Sequence, residues 1–168
     1  MILGSFAEGH WHTPVNGRDV LDAVTGDVIA QISSDGLDFE AMMNYARNVC
    51  GPALRKMTFH QRALMIKELA IKLNEYKAEF YDLSYASGCT KADTWIDVDG
   101  GFGTLFTYSS KARIELPDEP FYTEGMTEQL SRNGTFLGQH VMVPLRGVAV
   151  HINAFNFPCW GMLEKLAP

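Results

Sequence analysis

The stretch Gly147-Val148-Ala149-Val150-His151-Ile152-Asn153 constrains this chain more than any other, because it is apolar at nearly every position with His151 as the interruption. A strand with one wet face alternates apolar and polar residues. Near-continuous apolarity is the mark of a strand covered on both faces, as in parallel sheets. Such a strand needs neighbours beside it and a helix layer on each face. Phe157-Pro158 follows, with proline at a position that favours a helix start, and Trp160 to Leu166 begins that helix. The unit expected here is the first strand, turn and helix of an α/β domain. Nothing upstream reads as a second parallel strand with its crossover. The expectation is therefore that Pro168 is a truncation point and that the natural protein is longer.

The rest of the chain reads as β, then helical, then β again. Asp19 to Val24 and Val28 to Ile32 flank Thr25-Gly26-Asp27, which predicts a hairpin, with Phe6 to Trp11 as a short strand beside it. Phe39, Met42, Met43, Ala46 and Val49 have helical spacing, and Gly51-Pro52 is expected to end that helix. Thr58 and Gln61 have capping-box spacing and open a helix whose inward face is expected to be Leu64, Met65, Leu69 and Leu73. A third helix, from about Glu75 to Ala86, stops at Gly88. A fourth, from about Ala92 to Lys111, carries Gly100, Gly101 and Gly103, which predict close approach to a neighbouring backbone. Residues 115 to 134, broken by proline and glycine, read as a surface connection, and Thr135 to Val143 as a strand. The predicted organisation is a hairpin and helical part at 1–134, a segment carrying one strand at 135–145, and a strand, turn and helix at 146–168.

Charge excludes several function classes. There are 14 Lys and Arg against 20 Asp and Glu, a net charge of −6. Phosphate-backbone binding needs clustered cations, so no nucleic-acid partner is expected. No apolar run reaches the ~20 residues of a membrane helix, and no signal-peptide pattern opens the chain. The 3 cysteines, Cys50, Cys89 and Cys159, are too widely spaced for a disulfide framework or a zinc ribbon, which points to a reducing, cytoplasmic location.

Few residues invite a chemical role. His10 and His12 share a strand face but have no third ligand, so no metal site is expected. Asp93, Asp97 and Asp99 read as a solvated face favoured by a helix start, and Tyr108 and Lys111 as ordinary helix residues. Cys159 lies near a helix N-terminus, where thiols become acidic, but one residue into a helix also points inward. The strongest signal is Asn153-Ala154-Phe155-Asn156-Phe157-Pro158. It falls where the carboxyl end of a parallel strand would be, the place where open α/β sheets bind ligands. Asn156 has two readings there: a helix cap, the commoner use of Asn at a helix start, or an uncharged donor to an oxyanion.

Arg146 to Pro168 (RGVAVHINAFNFPCWGMLEKLAP) resembles the aldehyde dehydrogenase superfamily, in which a strand is followed by P-W-N-[FY]-P and a helix. Collinear matches at Ser34–Asp38, Gly51–Phe59, Trp95–Tyr108 and Glu115–Asp118 extend the resemblance over nearly the whole chain. It is closest to members that oxidise a CoA-linked semialdehyde in phenylacetate degradation, with a benzoyl-CoA pathway dehydrogenase as neighbour. The resemblance implies the amino-terminal part of that fold, with 135–145 as the start of its oligomerisation arm, NADP or NAD as cofactor, a CoA-linked aldehyde as substrate and a homo-oligomer. It implies that Asn156 stabilises the thiohemiacetal oxyanion, and that Ile152, Asn153, Ala154 and Phe155 line the cofactor site. Ala154 and Phe155 depart from the family's proline and tryptophan, which alters packing beside the nicotinamide ribose. The family's cysteine nucleophile, glutamate base and cofactor-contacting lysine are expected beyond Pro168. The rival readings are a non-catalytic interaction module and a dead homologue.

Overall fold

A computed structural model describes all 168 residues. Two hairpins come first. Strands β1 (Ser5–Ala7) and β2 (His10–His12) pair through the two-residue turn Glu8-Gly9, both at positive φ, the turn whose twist suits a tight hairpin. Strands β3 (Arg18–Leu21) and β4 (Val28–Ile32) form the expected hairpin. Its turn is held by Asp22, whose Oδ1 accepts from the N–H of Val24 at 2.7 Å and of Thr25 at 3.0 Å. Those two bonds hold the Asp22 carboxyl below its ordinary pKa, the one from Thr25 counting most. Residues 6 to 11 are therefore a separate hairpin and not a strand added to the second one. The segment before β1 runs beside β4, Leu3 N–H donating to Gln31 O and Gln31 N–H to Met1 O, each at 2.9 Å.

The first helical segment does not stop at Gly51-Pro52. Helix α1 (Phe39–Tyr45) runs through a π turn (Ala46–Cys50) into α2 (Gly51–Lys56). Pro52 has no N–H to give, and the wider turn, with Gly51 N–H bonding Ala46 O, absorbs it without breaking the rod. Helix α3 (Phe59–Glu75) opens on the predicted capping box of Thr58 and Gln61. Its inward face is rotated from the expected one. Ala63 and Ala70 are buried and Ile66, Leu69 and Leu73 pack on the core, while Leu64 and Met65 face outward. Small residues mark the close crossing with α5.

Helix α4 (Lys77–Ala86) ends at Gly88, whose φ of 86° is left-handed as predicted. Helix α5 (Lys91–Glu115) is the axis of the fold, capped by its own box of Thr90 and Asp93. It packs on α3, on α4 and on α6 (Pro158–Leu166). Val98, Phe102 and Leu105 of α5 meet Ala70 of α3 and Cys159, Leu163 and Ala167 at α6 to form the core. Phe80 of α4 meets Phe102 edge-on at 5.6 Å between centroids. Asp99 ties the same two helices, accepting from Lys77 Nζ and from Tyr81 Oη. Burial alone would raise the Asp99 carboxyl, but these hydrogen bonds and the Lys77 charge outweigh it and leave it lowered.

The stretch expected to be a surface connection contains a strand. Strand β5 (Tyr122–Gln129) pairs antiparallel with β6 (Leu137–Met142) in an isolated ribbon. The ribbon therefore begins at Tyr122, inside the stretch expected to be a connection, and spans residue 134. The mixed helix and strand class holds, but all three sheets are two-stranded and antiparallel. Residues 147–153 have no strand partner, and Val150 is 71% exposed. Apolarity makes a segment fit for a covered strand, but only a hydrogen-bonded neighbour makes it one, and no strand of these 168 residues pairs with it.

The glycines of α5 divide by what surrounds them. A Cβ at Gly101 would lie 3.1 Å from the Trp160 backbone, whereas one at Gly103 would meet nothing within 4 Å. Gly103→Ala should therefore stabilise the protein by about 1 kcal/mol through helix propensity. Gly101→Ala should destabilise it by about 1–3 kcal/mol, because α6 has to back away. Denaturant melts of the two variants check this pair. Equal shifts of the same sign would contradict the packing described.

Candidate functional site

The segment from Ile152 to Trp160 is built around a helix start that lacks a local cap. The N-cap position of α6 is Phe157, whose side chain accepts nothing from the helix. Pro158 at the first turn removes one unpaired N–H outright. The next two are taken by Asp97 of α5. Its Oδ2 accepts from Cys159 N–H at 3.1 Å and its Oδ1 from Trp160 N–H at 2.7 Å. Asp97 is 2% exposed, and no ion pair of the chain includes it. The positive end of the helix dipole and two charge-assisted bonds stand in for a cation.

One turn further along α5, Gly100 and Gly101 let α6 approach. A Cβ at Gly100 would lie 2.7 Å from the Trp160 ring. The Trp160 ring then lies beside Phe157, at 6.5 Å between centroids. Asp97, Gly100 and Gly101 share one face of α5 at spacings of three and four residues. That spacing puts an acceptor for the first α6 amides and a close-approach surface for Trp160 on the same side of α5. The expectation that Asp97 belongs to a solvated face is thus corrected. Asp93 closes its own capping box and Asp99 bonds Lys77 and Tyr81.

Asn156 sits in the turn before Phe157 and is exposed. Since the cap position is Phe157 and Asp97 takes the amides that follow, Asn156 does not cap the helix. Its backbone oxygen accepts a weak bond from Cys89 Sγ at 3.8 Å. Ile152 and Phe155 are 87% and 89% exposed, so this stretch presents bare apolar side chains. Asn153 is half-buried, its Oδ1 accepting from Lys165 Nζ at 3.1 Å. Ala154 borders a cavity of about 330 Å³ with Phe157, Trp160, Gly161, Glu164 and Lys165. Four of the five predicted site residues, Asn153 excepted, are thus open to solvent along one turn. An exposed apolar strip next to a small cavity and an uncharged amide suits a flat, partly apolar ring bearing a polar group.

Cys159 is buried in the core, and its thiol is pushed up to about 12 by burial and by the adjacent Asp97 charge. The acidic-thiol reading therefore fails: the helix N-terminus that would have lowered its pKa already serves Asp97. Cys50 is exposed and Cys89 half-buried. His10 and His12 lie ring over ring at 4.2 Å between centroids, and no group of three His, Cys, Asp or Glu side chains gathers anywhere in the chain.

The raised thiol has a defined pH consequence. The folded state holds the Cys159 proton above the pH at which the unfolded chain releases it, so stability falls as pH rises from about 9 toward 12. The slope is at most about 1.4 kcal/mol per pH unit. Cys159→Ala should flatten that fall in denaturant melts taken across this range. At pH 8 a maleimide should label Cys50 and spare Cys159 until the protein is denatured. Rapid labelling of native Cys159 would contradict its placement.

Comparison with known proteins agrees with this architecture. The aldehyde dehydrogenase family profile matches residues 11–168. The chain is 39% identical over 170 aligned residues to the 3,4-dehydroadipyl-CoA semialdehyde dehydrogenase of Aromatoleum evansii. That alignment covers 100% of this chain and 33% of the relative, so the chain spans about a third of its length. With the family profile matched along nearly the whole sequence, this chain belongs to the aldehyde dehydrogenase family.

Proposed function

We propose that these residues contribute the oxyanion donor and part of the cofactor wall of a dehydrogenase that oxidises a CoA-linked semialdehyde in aromatic catabolism. The observation that carries the reading is Asn156. It is exposed in the turn between a bare apolar segment and α6, and the helix does not need it, because Asp97 already holds the amides that a capping Asn would take. The 39% identity to a CoA-semialdehyde dehydrogenase supports the substrate class.

The chemistry divides among groups as follows. A thiolate adds to the aldehyde carbon, and negative charge grows on the aldehyde oxygen. The Asn156 Nδ2–H₂ group donates to that oxygen without adding a charge of its own. Cys159, buried and held protonated, does not serve as that nucleophile. Ile152, Ala154 and Phe155 present the apolar surface against which a nicotinamide cofactor, NADP or NAD, lies. When bound, that cofactor supplies the two-electron oxidant. The β5–β6 ribbon is assigned as an arm that joins subunits of a homo-oligomer, and the protein as cytoplasmic.

In the intact enzyme, Asn156→Ala should slow acylation by about 10²–10³-fold, the usual loss on removing one oxyanion donor. Single-turnover formation of reduced cofactor reads this directly. An unchanged burst would remove Asn156 from the reaction. A CoA-linked semialdehyde should be turned over more efficiently than the same aldehyde without CoA, and equal kcat/KM values would overturn the substrate class.

A further inference from the structure

We infer that Asp97 is a positioning residue for Asn156, an inference that rests on the oxyanion role proposed above. A donor of this kind works only if it is held within about 0.5 Å of the place where charge develops. Asn156 lies in an exposed turn, so its placement is set by what anchors the chain on either side.

There are three anchors near it. Before the turn, Lys165 Nζ donates to Asn153 Oδ1 across exposed surface at 3.1 Å. At the turn, Cys89 Sγ reaches Asn156 O at 3.8 Å, long even for sulfur. Both compete with water. After the turn, Asp97 holds Cys159 N–H and Trp160 N–H at 3.1 and 2.7 Å inside the core. Only this third anchor is dry and charge-assisted, and only it engages two successive amides with two oxygens of one group. That geometry fixes the direction of the first turn of α6 as well as its position.

The link from Asp97 to Asn156 is short and stiff. Two residues, Phe157 and Pro158, separate Asn156 from Cys159, and the proline ring fixes one backbone angle of Pro158 near its helical value. On the other side, Gly100 and Gly101 seat α6 so closely that no Cβ fits beside Trp160 without displacement. A cap from within α6 would satisfy the same N–H groups and yet leave the helix free to shift against α5. Asp97 acts across 62 and 63 residues of sequence, so it fixes α6, and the turn before it, to the central helix of the fold.

The test is a double-mutant cycle in the intact enzyme, read by single-turnover acylation. Asp97→Asn keeps the shape and one acceptor, and should lower acylation about tenfold through misplacement, with the KM for aldehyde nearly unchanged. In the Asn156→Ala background the same substitution should have almost no further effect, because the group it places is gone. Asp97→Glu, which keeps both acceptors on a longer stem, should lose less than Asp97→Asn. Multiplicative losses in the double variant, or an unaltered rate in Asp97→Asn alone, would overturn the positioning role while leaving Asn156 in place. An unaltered rate in Asn156→Ala alone would overturn the oxyanion reading and this inference with it. If Asp97→Asn gives no cooperative melt, Asp97→Glu takes its place in the cycle and is judged by the same coupling.

Discussion

Helix α6 starts with backbone N–H groups that nothing in its own sequence can satisfy, and the carboxylate of Asp97 meets that need from α5. Unpaired buried donors cost about 1–3 kcal/mol each, and a buried carboxylate without partners costs more. Each group is tolerable only because the other is present. The pairing is therefore a joint between two elements that are far apart in sequence. The rest of the core assembles around it: Phe102 and Leu105 lie one and two turns on from the acid and pack with Leu163 and Ala167 at α6. Remove the joint and the glycine seat at Gly100 and Gly101 has no reason to be small.

What could be read from sequence was what local physics decides. Capping boxes at Thr58 and Thr90 need only a residue and its third neighbour, and the first was legible from spacing alone. The left-handed Gly88 and the proline start of α6 are equally local. The errors arise where distant packing intervenes. Leu64 and Met65 have the right periodicity for a core face, but α5 crosses α3 at Ala63 and Ala70, where small residues allow contact. Strand β5 escaped because a two-stranded ribbon buries neither face, so no apolar alternation marks it, and Gly125 interrupts its ladder with a left-handed residue. The segment at 147–153 has a composition that suits a covered strand, as expected, but with no strand of this chain paired to it, it forms no ladder.

The candidate site shows the same division. The turn from Asn153 to Pro158 could be found from the change of pattern around it, apolar strand-like residues before and a proline-led helix after. The role of Asp97 could not be found that way, because its partners are backbone amides, and a backbone amide leaves no trace in the identity of a residue. Only the spacing of Asp97 to Gly100 and Gly101 hints at it. For Asn156 the sequence left two readings, helix cap and oxyanion donor, and the structure gives the cap position to Phe157 and the first amides to Asp97. Substrate and cofactor class came from resemblance and could not come from periodicity or spacing.

The same carboxylate also bears on why the turn proposed to hold an oxyanion donor holds no reactive thiol. A helix N-terminus can lower the pKa of one thiol or stabilise one carboxylate, and here it is spent on Asp97. Cys159, near the helix N-terminus where thiols become acidic, is instead buried beside a negative charge, and burial first and that charge second keep its proton up to a pH of about 12. A thiolate there would face Asp97 across a dry core and destabilise the joint that fixes the turn. An uncharged amide at Asn156 avoids that conflict. It adds no charge near Asp97, and in the proposed role its N–H₂ group would meet a full charge only when an oxyanion forms in front of it. The placing of an acid under the helix and an amide ahead of it therefore follows from one electrostatic requirement.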